Sequence, residues 1–160
     1  MSAIAKGARG MKSKFGNTLE TLSHVSLVLY KKDSREIQLI TESSVLLRIE
    51  KIREQLDALS AAMATIELMY RTSHEEKNER LFSLLVETLS AINGAQKNFA
   101  QLYCWFELCI AELLGFRFQL ERCPSCNVLF GTSAMQKEFF IITLSFGGIL
   151  CDNCASNNIS

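Results

Sequence analysis

Apolar positions along the chain change their spacing in ways that mark out successive elements. Between Leu19 and Leu39 the residues Leu22, Val25, Leu27 and Leu29 show partial period-two alternation, interrupted by the polar run Lys31–Ser34. That pattern predicts a hairpin with arms at about 19–31 and 35–41. Before it, Met1–Gly16 mixes Gly7, Gly10 and Gly16 with four cations, which predicts a short strand running into a basic loop. So few strands leave sheet edges uncovered, so the segment reads as the latter part of a small β-domain whose first strands are absent.

From Val45 the spacing changes. Val45, Ile49, Ile52, Leu56, Leu59, Met63, Ile66 and Tyr70 step alternately by four and three, the seam of a helix. A second amphipathic helix carries Leu81, Leu84, Leu85, Val86, Leu89 and Ile92, with Gly94 expected as its C-cap. A third, from about Gln96 to Leu114, gathers Phe99, Leu102, Tyr103, Phe106, Ile110, Leu113 and Leu114 and ends at Gly115. Further on, Val128–Phe130 and Phe139–Leu144 read as strands, and Phe146–Leu150 carries the chain through a Gly-Gly turn. The fold class expected is therefore α+β: a partial β-domain over residues 1–42, then a helical domain over 43–160 containing a small β-hairpin module at 120–156.

Composition fits a folded chain of 160 residues, 48% hydrophobic and 21% charged. Lys plus Arg and Asp plus Glu number 17 each, which excludes a uniformly basic nucleic-acid binder. The charge is uneven, however. Through residue 40 the cations Lys6, Arg9, Lys12, Lys14, Lys31, Lys32 and Arg35 face only Glu20, Asp33 and Glu36. A basic front on a more acidic body suits a chain that meets a polyanion with one part and proteins with another; a merely solvated basic segment is the plainer alternative. No stretch reaches the roughly 18 uninterrupted apolar residues of a membrane span, and no secretory signal opens the chain, so a cytoplasmic, nucleoid-associated protein is expected.

Chemistry concentrates in the cysteines. Cys123-Pro-Ser-Cys126 and Cys151-Asp-Asn-Cys154 form two C-x2-C knuckles separated by 24 residues, the construction of a zinc ribbon with a slightly long spacer. Two such turns supply four thiolates at the corners of a tetrahedron, which suits Zn2+; an iron or iron–sulfur site and a pair of redox dithiols are the alternatives on the same residues. Four protein ligands leave no open position for water or substrate, so the metal would be structural.

Other candidates read as structure. Trp105 and its aromatic neighbours could stack on bases, but their helical spacing favours a core role. Cys104 and Cys109 lack ligand spacing and read as buried small hydrophobes. His24 and His74 stand apart from any nucleophile. Phosphate-loop, H-E-x-x-H and G-x-S-x-G motifs are all missing, and no catalytic residue or enzyme activity is expected.

Several segments together resemble a known family, the bacterial DNA-repair and recombination-mediator proteins RecO. AKGARGMKSKFGNTLETLSHVSLVLY, Ala5–Tyr30, is similar to the second half of that family's N-terminal OB-fold, and NERLFSLLVETLSAI, Asn78–Ile92, to its helical domain. FELCIAELLGFRFQLERCPSCN, Phe106–Asn127, and FFIITLSFGGILCDNCA, Phe139–Ala155, are similar to its helix, cap, first knuckle, Gly-Gly turn and second knuckle, in that order. The resemblance implies an OB-fold, a helical bundle and a zinc finger that bind single- and double-stranded DNA and anneal complementary strands. Implied partners are RecR and the C-terminal tail of single-strand-binding protein, with RecA loaded as a result.

By family motif Cys123, Cys126, Cys151 and Cys154 are the implied zinc ligands, and Lys6 and Arg9 fall at the DNA surface of the OB-fold. Lys12, Lys14, Lys31, Lys32 and Arg35 join them on charge alone. Family members carry first OB strands that this chain lacks, so weaker DNA binding than a complete relative is expected. The competing reading is a zinc-stabilised helical interaction module in transcription or translation that never touches DNA.

Overall fold

The computed structural model describes residues 2–8, 10, 13–73, 77–131 and 141–158. These form an α+β chain that divides into two compact units, 1–103 and 104–160.

In the first unit the alternating segment forms strand β2, Ser23–Tyr30, which pairs antiparallel with β3, Ile37–Arg48. The short opening strand β1, Ser2–Ile4, pairs parallel with β3 on the other side, giving the order β1-β3-β2. Register shifts between His24 and Val25 and between Val28 and Leu29 leave Leu46 and Thr41 without an opposite residue and mark bulges in β3.

β3 runs through Arg48, well past the expected arm at 35–41 and past residue 42. Val45, expected to open a helix, pairs instead with Val25. Thr41 and Val45 are β-branched and Ser43 and Ser44 are weak helix formers, and pairing with β2 through Arg48 draws the segment into the sheet. Ile49 and Ile52 are nevertheless buried, the latter in a 3-10 turn, Lys51–Glu54, that Asn93 holds by accepting from the Lys51 and Ile52 backbone N–H groups at 3.0 and 3.4 Å.

Helix α1, Leu56–Thr72, begins only after extended Gln55. Its buried face is Ala58, Ala61, Ala62, Thr65 and Met69, whereas Leu56, Met63 and Tyr70 of the expected seam are exposed, Tyr70 by 83%. Small residues let α1 approach α2, Glu79–Gly94, closely, and the buried Thr65 and Thr88 hydroxyls donate to the Ala61 and Leu84 carbonyls, so neither is left unpaired. Asn78 caps α2 by accepting from the Leu81 N–H at 3.1 Å. Gly94 is the last helical residue, with Ala95 in the cap position rather than Gly94 itself. Leu22, Ile49, Ile52, Ala62, Leu89, Ile92 and Phe99 form the core of this unit.

Helix α3, Phe99–Leu113, closes with the N–H of Phe116 bonded to Ala111 and that of Gly115 to Glu112, a Schellman end that needs the positive φ of Gly115. In the second unit, strands β4, Ile141–Thr143, and β5, Gly148–Leu150, pair antiparallel, and helix α4, Asp152–Asn158, follows. The expected strand Val128–Phe130 is reduced to an isolated bridge between Leu129 and Arg122; Phe139 and Phe140 of the next lie outside the described residues. Among the described residues no helix is long and apolar enough to cross a membrane.

Candidate metal centre

Both knuckles are built by backbone hydrogen bonds. In the first, the Cys123 N–H donates to Val128 at 2.9 Å and the Asn127 N–H returns to Cys123 at 2.8 Å, while Asn127 takes a left-handed φ of 60°. Asn tolerates that conformation better than most side chains, so the residue after the C-x2-C motif closes the turn. In the second knuckle, β5 delivers Cys151 and the first turn of α4 carries Cys154, with the Ala155 N–H donating to Cys151 at 2.8 Å.

Gln119 fixes the turn before β5: its N–H donates to Gly147 and its carbonyl accepts from Ile149, at 2.8 and 3.1 Å. A Cβ on Gly148 would stand 2.5 Å from the Gln119 oxygen, which explains the second glycine of the pair.

The result is convergence. The four Sγ atoms of Cys123, Cys126, Cys151 and Cys154 lie within 4.8 Å of one another, with Cys126 and Cys151 at 3.6 Å. A tetrahedron with metal–sulfur bonds of roughly 2.3 Å has edges of about 3.8 Å, so the cluster has the size a metal ion requires. Cys123 has no exposed surface, and with Leu150 and Ala155 it forms the small core of this module.

Protonation supports the same reading. Burial opposes ionisation of Cys123, yet backbone N–H groups of Cys151, Cys126 and Ser125 and the Cys126 thiol donate to its sulfur and bring it down to about 6. Cys126 accepts from the Val128 N–H, but its hydrogen bond with Cys151, burial and the other two thiols push it up to about 12. Cys154 is raised as well: the Ser125 hydroxyl favours its thiolate, but Cys151, burial and Cys123 together outweigh it. Four thiolates this close repel, so only a bound cation lets them all ionise together.

The candidate phosphate-binding cations are spread more widely. Lys6 lies in the turn after β1; Lys14 stands 5.1 Å from the centroid of the Phe15 ring; Lys31, Lys32 and Arg35 occupy the loop between β2 and β3, with Lys31 3.8 Å from Asp33. Arg9, Lys12 and His74 lie outside the described residues. Parallel pairing from Ser2 with Ile37 to Ile4 with Leu39 places the start of β1 beside that loop and carries Lys6 away from it.

Trp105 is 45% exposed rather than core; it borders a cavity of about 370 Å3 with Leu108, Cys109, Glu112 and Arg117. Cys104 is exposed and Cys109 half-buried, its thiol pushed up by burial and by Glu112. His24 packs edge-on against Phe82. Sequence reasoning missed Gln38, whose side chain organises the cationic loop; a polar residue in the apolar run Ile37–Ile40 was the available signal.

A three-stranded sheet, a helical unit and a hairpin module with four converging thiols define an α+β chain with a candidate four-cysteine metal centre. The family description Recombination protein O C terminal matches residues 53–159, and Recombination protein O N terminal matches residues 1–49. The chain belongs to the RecO family. It is 34% identical over 149 residues to the DNA repair protein RecO of Chloroherpeton thalassium, covering 92% of this chain and 58% of that protein. With the DNA repair protein RecO of Pelodictyon phaeoclathratiforme it shares 33% identity over 163 residues, 100% of this chain and 62% of the relative. With that of Roseiflexus sp. it shares 35% over 153 residues, 95% and 51%. The chain thus spans about half to three fifths of the length of these relatives.

Proposed function

We propose that this chain acts in DNA repair and homologous recombination as a mediator that catalyses no reaction of its own: it binds DNA, anneals complementary single strands and helps load a recombinase onto DNA coated by single-strand-binding protein. The observation that carries this reading is the match to both halves of the RecO family over almost the whole chain. In this reading the β1-β3-β2 sheet is part of an OB-fold. RecR, the C-terminal tail of single-strand-binding protein and, indirectly, RecA are the protein partners.

Annealing needs two phosphate backbones neutralised while base edges stay free to pair, which favours contacts from cations to the backbone over base readout. Lys6, Arg9, Lys12, Lys14, Lys31, Lys32 and Arg35 supply those contacts. Cys123, Cys126, Cys151 and Cys154 hold a structural Zn2+, whose part is to tie the two knuckles together where the apolar core is too small to do so.

The test is strand annealing by the chain with Lys6, Arg9, Lys12 and Lys14 all changed to Glu, beside the unaltered chain. The expected result is loss of annealing, and binding by the unaltered chain that weakens steeply with salt and little with sequence. Annealing untouched by the four reversals, or binding indifferent to salt, rejects the phosphate-contact mechanism.

A further inference from the structure

Tyr30 ends β2 and is 57% exposed, and the loop that follows immediately carries Lys31, Lys32 and Arg35. That loop is held from the buried side of the sheet. Gln38, 5% exposed, accepts from the Lys32 N–H at 2.8 Å and donates to the Lys32 and Arg35 carbonyls at 3.3 and 2.6 Å. The Arg35 N–H also closes on the Lys32 carbonyl at 3.0 Å.

Residues directly opposite in a sheet share a face, so Tyr30 and its partner Leu39 lie on one side with Ile37 and Ile4, while Gln38 and Ile40 take the buried side. An exposed phenol ring therefore sits at the root of a backbone-anchored cationic loop. Among the described residues neither Lys32 nor Arg35 enters an ion pair.

We propose that Tyr30 and the Gln38-held loop form a subsite for one unpaired nucleotide of single-stranded DNA, the base stacked on the Tyr30 ring and its phosphate met by Lys32 and Arg35. This rests on the DNA-binding reading and adds a preference for single strands. Every base offers a π-face once unstacked, whereas a duplex keeps those faces inside, so a surface ring discriminates strand state without reading sequence. The cations act on either form.

The experiment is fluorescence anisotropy over a range of salt, with labelled oligothymidylate and a duplex of equal length as probes, on the full chain. Tyr30→Leu keeps apolar bulk and is expected to weaken oligothymidylate binding about tenfold while leaving duplex affinity and both salt slopes unchanged. Tyr30→Phe retains the ring and should bind as the unaltered chain does. Changing Lys32 and Arg35 to Ser should weaken both probes and flatten the salt slope.

Oligothymidylate affinity unchanged in Tyr30→Leu, or lost equally for both probes, overturns the stacking subsite while leaving DNA binding in place. Unchanged binding in the Lys32/Arg35 variant overturns its phosphate half. An unaltered chain that binds neither probe refutes the underlying DNA-binding reading instead.

Discussion

Gln38 shows how much one side chain can settle. Its amide satisfies three backbone groups of the β2–β3 loop from a buried position. Gln38→Leu keeps the volume but takes the partner from the Lys32 N–H and the Arg35 carbonyl, while the Lys32 carbonyl keeps the Arg35 N–H, and should cost about 1–3 kcal/mol of unfolding free energy, read from the denaturant midpoint. An unchanged midpoint would mean that the loop does not depend on it. The alternation of the strand put residue 38 opposite in face to 37 and 39, but nothing in the sequence identified which backbone groups its amide would meet.

The cysteines were legible from spacing, yet not their individual chemistry. Cys123, brought down to about 6, has lost its proton at neutral pH, whereas all ligands must be thiolates to bind zinc. Its folded-state value lies below the unfolded one, so its ionised form contributes stability to the metal-free module above the unfolded value, lost as pH falls through 6. Calorimetric titration with Zn2+ in buffers of different ionisation enthalpy should show about one more proton released per ion at about pH 5 than at about pH 7.5. Equal release at both would contradict a predominantly ionised Cys123.

Among the elements, α1 separates what a hydrophobic pattern says from what packing selects. The four-three seam located the helix, but its first positions, Val45 and Ile49, lie before the helix, and its bulky members Leu56, Met63 and Tyr70 point away from the core. Helical periodicity identifies a helix by its large residues; close approach of two helices selects small ones, here Ala58, Ala61 and Ala62. Ala62 is 0% exposed, so Ala62→Leu should destabilise by about 1–3 kcal/mol through overpacking. Tyr70→Ala should stay within about 0.5 kcal/mol of the unaltered chain. Thermal melts of the two variants decide between the faces, since the seam would reverse their order. Helix α2 was read closely because its bulky residues, Leu81, Leu84, Leu89 and Ile92, are also its buried ones.

For the molecule as a whole, sequence pattern conveyed the α+β class and the pairing of the knuckles, whereas the parallel partner of β1 and the length of β3 depend on contacts between distant segments that no local pattern encodes. Among the described residues, the second unit buries few large side chains around its cysteines, with Cys123, Leu150 and Ala155 at their centre. A module with so small a core needs a clamp. Native mass spectrometry of freshly purified chain, with and without chelator, measures that clamp directly. One Zn2+ per chain, removed together with a drop in the melting temperature of the second unit, is the result expected. A metal-free mass, four freely alkylated thiols at Cys123, Cys126, Cys151 and Cys154, and a melting temperature indifferent to chelator would contradict it.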